Sequence, residues 1–169
     1  MLIAILSDSH DHIPNLQRAV LAANREGAEM LIHCGDLISP FMLPQLHAFN
    51  GPVHLIYGNN AGDQHLISSR CETMFTNISH HGLQGEVEIA ELRICFIHYP
   101  DTARALALTG DYDVVCCGHN HVAAVERFGR CLLINPGDLL GKDEKPGFML
   151  LNTADKSVKR IIVGELLEF

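Results

Sequence analysis

Two patterns of apolar residues alternate along the first sixty positions. Leu2–Leu6, Met30–Cys34 and Pro52–Tyr57 are short, nearly continuous apolar runs, which is typical of strands buried on both faces. Between them, apolar residues recur at helical spacing over Ile13–Ala23, and a shorter helix is predicted over about Phe41–Phe49. This βαβαβ order predicts a parallel sheet with right-handed crossovers.

The second half of the chain has a different rhythm, with strand patterns joined by short turns and one helical pattern over about Thr102–Leu108. The expected architecture is a single α/β domain over residues 1–169, in which two mixed sheets pack face to face and helices lie on both outer sides. The predicted strands of this half are Glu86–Ala90, Arg93–Ile97, Asp113–Cys117, Val122–Arg127, Cys131–Asn135, Phe148–Asn152 and Val158–Val163.

Composition and charge narrow the class of protein. With 169 residues and 47% hydrophobic residues, the chain can bury a sizeable core, so a disordered protein is excluded. The 12 basic against 20 acidic residues argue against a stable nucleic-acid complex, since such binding needs clustered cations. Six cysteines without a CxxC pair, no signal peptide and no membrane-length apolar run predict a cytoplasmic protein with no membrane partner.

Side chains able to bind a metal follow five of the predicted strands. In open α/β sheets, ligands collect beyond the carboxyl ends of parallel strands, so we expect these donors to meet in one crevice. A glycine directly precedes three of the donor segments, where a missing Cβ allows a sharp turn or a close approach to an ion. The predicted donors are Asp8, His10, Asp36, Asn59, His98, His119 and His121, and the glycines are Gly35, Gly58 and Gly118.

The spacing of the paired donors is also informative. Asp8 and His10, like His119 and His121, are two residues apart, so both members of each pair would project to one side of an extended chain. Seven donors exceed the four that usually fill a tetrahedral zinc site and suit two divalent ions instead.

Charge counting indicates the substrate. Two divalent ions carry about +4, while two carboxylates and a bridging hydroxide remove about 3, which leaves a site near +1 that could hold a phosphate. The reaction predicted is in-line attack on phosphorus by a hydroxide that bridges the two metals, with no further catalytic side chain.

At these residues the sequence resembles the calcineurin-like metallophosphoesterases, in particular their small single-domain bacterial and archaeal phosphodiesterases. The motifs that carry the resemblance are Asp8-Ser9-His10, Gly35-Asp36, Gly58-Asn59, His98 and Gly118-His119-Asn120-His121, followed by the turn Ile134-Asn135-Pro136-Gly137.

The resemblance implies an α/β/β/α sandwich with a binuclear centre that holds Mn²⁺, Ni²⁺, Fe²⁺ or Zn²⁺, and a possible homodimer or homotetramer. Two overlapping sets of ligands are implied, with Asp36 shared between them. One set is Asp8, His10, Asp36 and His121, and the other is Asp36, Asn59, His98 and His119.

Three positions depart from the family pattern. Asn60 stands where larger members have a histidine that assists the leaving group, and we predict a substrate-binding role for it. Tyr99 stands where a glycine is usual, and Asp138 where a serine is usual; Asp138 and Asp63 could either line the site or cap turns. Without an evident proton donor, aryl or cyclic phosphodiesters should be preferred to alkyl ones.

Other interpretations remain open. The function predicted is hydrolysis of a small phosphodiester or nucleotide, and the alternatives are a phosphomonoesterase or a non-catalytic scaffold on the same fold. A dinucleotide-binding domain is excluded because no GxGxxG follows the first strand. The remaining histidines are interpreted as structural, with His80-His81 in a turn.

Overall fold

The computed structural model describes residues 1–142 and 144–165, and their strands form two sheets. In the first sheet the four strands earliest in the chain are parallel, and the last two are added antiparallel at one edge. This arrangement confirms the predicted parallel βαβαβ half. The order across the sheet is β11 (Val158–Ile162), β10 (Gly147–Asn152), β1 (Leu2–Leu6), β2 (Met30–His33), β3 (Val53–Leu55) and β4 (Ile78–His80).

The second sheet has a parallel centre and antiparallel edges. The hairpin between its first two strands turns at Ala90 and Glu91, which have φ of 49° and 63°, one residue earlier than the predicted turn. Two successive positive φ values are typical of the turn that matches strand twist in a two-residue hairpin. The order across this sheet is β5 (Gln84–Ile89), β6 (Leu92–Ile97), β7 (Val114–Cys116), β9 (Cys131–Pro136) and β8 (Ala123–Phe128).

Helices cover the outer face of each sheet, so three apolar layers alternate with four layers of backbone. The middle layer, between the sheets, contains fully buried Ile5, Ile32 and Phe96. The predicted four-layer α/β/β/α sandwich is confirmed. The helices are α1 (Ile13–Arg25), α2 (Leu43–His47) and α3 (Gln64–Thr73) on the first sheet and α4 (Pro100–Thr109) on the second, with short 3₁₀ turns at Pro40–Met42 and Val163–Glu165.

Two elements were not predicted, α3 and β4. Helix α3 buries only Ile67 and Cys71, so its sequence lacks the apolar stripe that marks an amphipathic helix. Strand β4 has three residues and ends at His80, which corrects the interpretation of His80-His81 as a turn. Within the part of the chain described, no helix combines the length and apolar character needed to cross a membrane.

Three half-buried histidines lie at the β3–β4 edge of the first sheet. Nδ1 of His54 is 2.9 Å from Nε2 of His81, and Nδ1 of His80 accepts a hydrogen bond from the Gly82 amide. Burial lowers the pKa of His54 and of His80 to about 4 and also lowers the pKa of His81. The imidazoles of His54 and His80 are therefore neutral in the folded protein at pH 6, whereas unfolded histidines, with a pKa near 6.5, are mostly protonated at that pH.

We expect the metal-free protein to lose stability as the pH falls from about 6.5 towards 4. In this window the unfolded chain binds protons that the folded histidines do not, so the free energy of unfolding falls on acidification. Urea titrations in the presence of a chelator, at half-unit pH steps, measure the free energy of unfolding and hence its slope against pH. His80→Gln should reduce the slope by up to about one proton, and His65→Gln, at an exposed position, is the matched control. An identical slope for His80→Gln would contradict the assignment.

Candidate metal centre

The seven predicted donors meet at the carboxyl ends of five strands, as expected. Loops after β1, β2 and β3 bring the donors of the first sheet to those after β6 and β7 of the second. The carboxylates are at the bottom of the crevice, with Asp8 fully buried and Asp36 2% exposed, whereas Asn59 and His119 are exposed at its mouth. A continuous chain of contacts links all seven donors. Its pairs are Asp8–His121, His10–His121, His10–Asp36, Asp36–His98, His98–Asn59 and Asn59–His119.

The backbone of the donor pairs is not extended, contrary to the expectation from their spacing. Asp8 and His10 have φ of 52° and 45°, and His119 and His121 have φ of 72° and 62°. Asp36, at φ 55°, is also left-handed. Non-glycine residues in this region cost about 1 kcal/mol or more each, and such residues cluster at functional sites. The i, i+2 pairs therefore converge through tight turns rather than through the alternation of a strand.

Hydrogen bonds between the loops hold these turns. The amide of Asp8 donates to the carbonyl of Gly35 at 3.1 Å, and the amide of His10 donates to the carbonyl of Asp36 at 2.8 Å. The amide of His119 donates to Oδ2 of Asp8 at 2.9 Å, which ties the second sheet's loop to the first sheet. The strained residues are thus fixed by bonds from neighbouring loops.

The three predicted glycines are positions where the loops touch. A Cβ at Gly35 would lie 2.7 Å from Nδ1 of His98, and one at Gly58 would lie 2.6 Å from the amide nitrogen of Asp36. A Cβ at Gly118 would overlap the Ser7 side chain and lie 2.5 Å from Oδ2 of Asp8. These separations are shorter than real Cβ contacts, so the missing Cβ of each glycine permits a close approach of one loop to another, whereas the predicted close approach to an ion stays a prediction.

One group of donors surrounds His98, which is 1% exposed. Its Nδ1 is 2.8 Å from the carbonyl of Cys34, and because a carbonyl only accepts, Nδ1 carries the proton. In the neutral ring Nε2 then carries a lone pair and can only accept. It nevertheless lies 3.0 Å from Oδ1 of Asn59 and 3.4 Å from Oδ1 of Asp36, which are also acceptors. The lone pair of this nitrogen thus faces two oxygens, an arrangement that a cation would stabilise.

A second group surrounds Asp8. Its Oδ1 is buried without a hydrogen bond to any described residue and lies 3.4 Å from Nε2 of His121. Nε2 of His10 is 3.5 Å from the same nitrogen and 4.0 Å from Oδ2 of Asp36. Burial raises the pKa of Asp8, and His98 and His121 oppose that rise. A bound cation would oppose it further by favouring the carboxylate.

The donor set fits a divalent metal by its chemistry and by its unsatisfied atoms. Two groups of three residues each offer ligand atoms within 4.8 Å of one another. Imidazole and carboxylate together suit first-row ions such as Zn²⁺, Mn²⁺ and Fe²⁺. The two groups are Asp8, His10 and His121, and Asp8, Asp36 and His98.

Asp138 and Asp63, left undecided by the sequence, have different places. Asp63 is exposed, and its carboxylate caps α3 by accepting from the Leu66 amide at 2.8 Å. Asp138 is fully buried, with Oδ2 accepting from the amides of Gly141 and Lys142. The same oxygen lies 3.5 Å from Nδ1 of His121. Asp138 therefore closes a turn and also faces the back of a predicted ligand, as carboxylates behind metal-bound histidines do.

Asn60 contacts Asp36 rather than pointing away from it. Its backbone N–H donates to Oδ1 of Asp36 at 2.8 Å, and its side-chain Nδ2 donates to Oδ2 of Asp36 at 2.6 Å. The side chain is exposed, and its predicted contact with substrate stays a prediction. Its observed contacts orient the carboxylate.

Two supporting residues were not recognised as such in the sequence. Buried Asn135 donates to the carbonyl of Gly118 at 3.0 Å and to Oδ1 of Asn120 at 2.8 Å, which fixes the loop between two histidine donors. Ser9, between Asp8 and His10, has its hydroxyl 3.0 Å from Nε2 of buried His33. For Asn135 the only signal in the sequence is the Asn-Pro-Gly motif. Nothing in the sequence indicates that Ser9 contacts His33.

This fold and donor set define a phosphoesterase of the metallophosphoesterase type. Residues 1–156 match the calcineurin-like phosphoesterase superfamily domain, and the chain belongs to that superfamily. It is 32% identical over 165 residues to a phosphodiesterase of Methanocaldococcus jannaschii, an alignment that covers 96% of this chain and 99% of that protein.

Solved structures agree with this assignment. The structure of an archaeal phosphodiesterase superposes with a TM-score of 0.88 at 32% identity, covering 96% of this chain and 99% of that one. A Vps29 variant from Entamoeba histolytica superposes with a TM-score of 0.68 at 20% identity, covering 96% and 99%, which is a likeness of fold alone. The predicted family and enzyme class are confirmed, and divalent metal ions are the cofactors that the family implies.

Replacing Gly118 by alanine should prevent assembly of the metal centre. The added Cβ would push against Asp8 and the Ser7 side chain, so we expect the affinity for Mn²⁺ to fall by about 10-fold or more, measured by calorimetry. Gly164→Ala is the matched control, because a Cβ there meets no atom within 4 Å. Unchanged Mn²⁺ affinity in Gly118→Ala would contradict this expectation, because it would show that metal binding does not depend on the close approach of Gly118 to Ser7 and Asp8.

Replacing Asp138 by asparagine should weaken metal binding without opening the turn. The amide oxygen can still accept from the amides of Gly141 and Lys142, but the negative charge behind His121 is lost. We expect about a 10-fold loss of Mn²⁺ affinity and little change in the melting temperature of the metal-free protein. Asp155→Asn, at an exposed turn, is the control. Equal affinities in both variants would leave Asp138 with a structural role only.

Proposed function

We propose that the chain is a phosphodiesterase that requires two divalent cations. The single observation that supports this most strongly is the cluster of donors from five loops, in which Nε2 of His98 faces Oδ1 of Asn59 at 3.0 Å and Oδ1 of Asp36 at 3.4 Å. Such a cluster is unfavourable without cations and is typical of sites that bind them.

The two oxygens of Asp36 support its role as the shared ligand. Oδ1 lies 3.4 Å from Nε2 of His98, while Oδ2 lies 4.0 Å from Nε2 of His10 on the other side of the crevice. One set of ligands would be Asp8, His10, Asp36 and His121, and the other Asp36, Asn59, His98 and His119.

The chain's own residues prepare this site. When bound, divalent cations lower the pKa of water and stabilise negative charge on phosphoryl oxygens. The Cys34 carbonyl holds His98 in the tautomer whose Nε2 faces the crevice, and Asn60 holds both oxygens of Asp36. With only Asp8 and Asp36 as carboxylates among the seven donors, the loaded site would keep a positive charge that attracts a phosphate.

The expected substrates are small phosphodiesters. The identity of 32% to a phosphodiesterase supports this class. By the family pattern, Asn60 stands where larger members have a histidine that assists the leaving group, and a side-chain amide cannot supply that proton. Aryl or cyclic diesters, including cyclic nucleotides, should therefore react faster than alkyl diesters.

The test is an activity panel on protein that has been stripped of metal with a chelator and refilled with Mn²⁺, Ni²⁺, Fe²⁺, Zn²⁺ or Mg²⁺. We expect no activity in the stripped protein and hydrolysis of bis(4-nitrophenyl) phosphate after refilling, with slower hydrolysis of dialkyl phosphates. Equal rates on both diesters would contradict the leaving-group argument. Activity on monoesters alone would indicate a phosphomonoesterase, and no turnover with any metal would favour the scaffold.

A pair of matched variants locates the activity in the crevice. Asp36→Asn should lower kcat/KM by more than about 100-fold, because even outer partners of ligands contribute 10–100-fold. Asp63→Asn should keep its activity, since asparagine caps a helix as well as aspartate does. Equal activities in these two variants would contradict a role for Asp36.

A further inference from the structure

We propose that Tyr99 forms a subsite that binds the aromatic group of the substrate, either a nucleobase or an aryl ring. This proposal rests on the phosphodiesterase function proposed above and specifies which diesters the site prefers.

Tyr99 is an aromatic residue at the mouth of the metal centre. Its ring centroid is 5.1 Å from that of His119 and 5.4 Å from that of His98, with the ring planes inclined by 62° and 74°. Although it contacts two predicted ligands, Tyr99 is 42% exposed. A large ring is therefore held in place on one side and open to solvent on another, beside the point where a phosphate would bind.

Hydrogen bonding does not explain the tyrosine side chain at this position. Tyr99 precedes α4 as its N-cap, but the side chain makes no capping hydrogen bond, and the helix uses only the backbone carbonyl, which accepts from the amide of Ala103. Among the described residues the tyrosine hydroxyl has no hydrogen-bond partner either. Neither helix capping nor a hydroxyl contact explains an exposed tyrosine here.

A groove that begins at Pro100, the residue after Tyr99, supports recognition without positive charge. It runs from Pro100 to Asn120 and Val122, and its one cation, Arg104, is held by Glu126 through hydrogen bonds of 2.7 and 2.9 Å. Because Glu126 balances the charge of Arg104, the rest of this groove offers apolar surface and neutral polar groups.

The side-chain amide of Asn120 adds a neutral hydrogen-bonding group to the groove. Oδ1 of Asn120 accepts from the Val122 amide and from Nδ2 of Asn135, which orients the Asn120 side chain. Val122 itself is 49% exposed. The aromatic face of Tyr99, followed in the chain by a groove with a fixed amide and an apolar rim, is suited to a planar group with polar edges. Stacking of a base on an aromatic side chain stabilises binding whatever the base.

Two product analogues separate stacking from phosphate binding and from leaving-group chemistry. Phenyl phosphate and methyl phosphate present the same phosphate, and only the first carries a ring. Their dissociation constants are measured by calorimetry on the Mn²⁺-loaded protein and as inhibition constants. We expect phenyl phosphate to bind about 10-fold more tightly than methyl phosphate.

The variants are Tyr99→Ala, Tyr99→Phe and Tyr99→Leu. Tyr99→Ala and Tyr99→Leu should weaken phenyl phosphate by about 10-fold and leave methyl phosphate within about 2-fold, whereas Tyr99→Phe should keep both affinities. Leu108→Ala, at a residue on α4 that is 66% exposed, is the control for loss of apolar surface.

An equal loss for both ligands in Tyr99→Ala would overturn the proposal, since it would mean that Tyr99 only positions His98 and His119. No loss for either ligand would also overturn it. If the wild type hydrolyses no phosphodiester but shows the Tyr99-dependent preference for phenyl phosphate, the proposed activity fails and the subsite stands.

Discussion

The candidate metal centre at the strand ends depends on one constraint. The fold holds electron-rich oxygen and nitrogen atoms, which repel one another, close together. Oδ1 of Asp8 is buried without a hydrogen bond to the described residues, and Nε2 of His98 faces two oxygens within 3.4 Å. Neither arrangement is favourable for the protein alone. The folding free energy of the rest of the sandwich must therefore hold these donors in place, and a cation would recover part of that cost.

The sandwich can do this because the donor loops contact one another closely. Gly35, Gly58 and Gly118 let backbone and side chains approach closer than a Cβ permits. Five donors are held at positive φ, and bonds such as that from the His119 amide to Asp8 link the two sheets directly at the site. The strain is confined to a few residues at the edges of a well-packed core, and the site is preorganised as a result.

Much of this could be predicted from the sequence because its signals are local. Buried strands such as Leu2–Leu6 and Asp113–Cys117 are visible as apolar runs, and donors follow them directly. Helix α3 was missed because it buries too few apolar residues to show a period. The left-handed turns at the paired donors, and contacts such as Asp138 with His121, could not be predicted, because they depend on which loops become neighbours in three dimensions.

The departures from the family pattern are in the surroundings of the donors and not in the donors themselves. Asn60 orients Asp36 with an amide that cannot give up a proton, and Asp138 adds a buried carboxylate behind His121. Tyr99 adds a ring where a glycine would leave open space. Ligands determine which ion binds, whereas the residues around them determine affinity, proton supply and substrate shape. The proposed ligand set on a fold shared with the family is therefore compatible with a substrate preference of this chain's own.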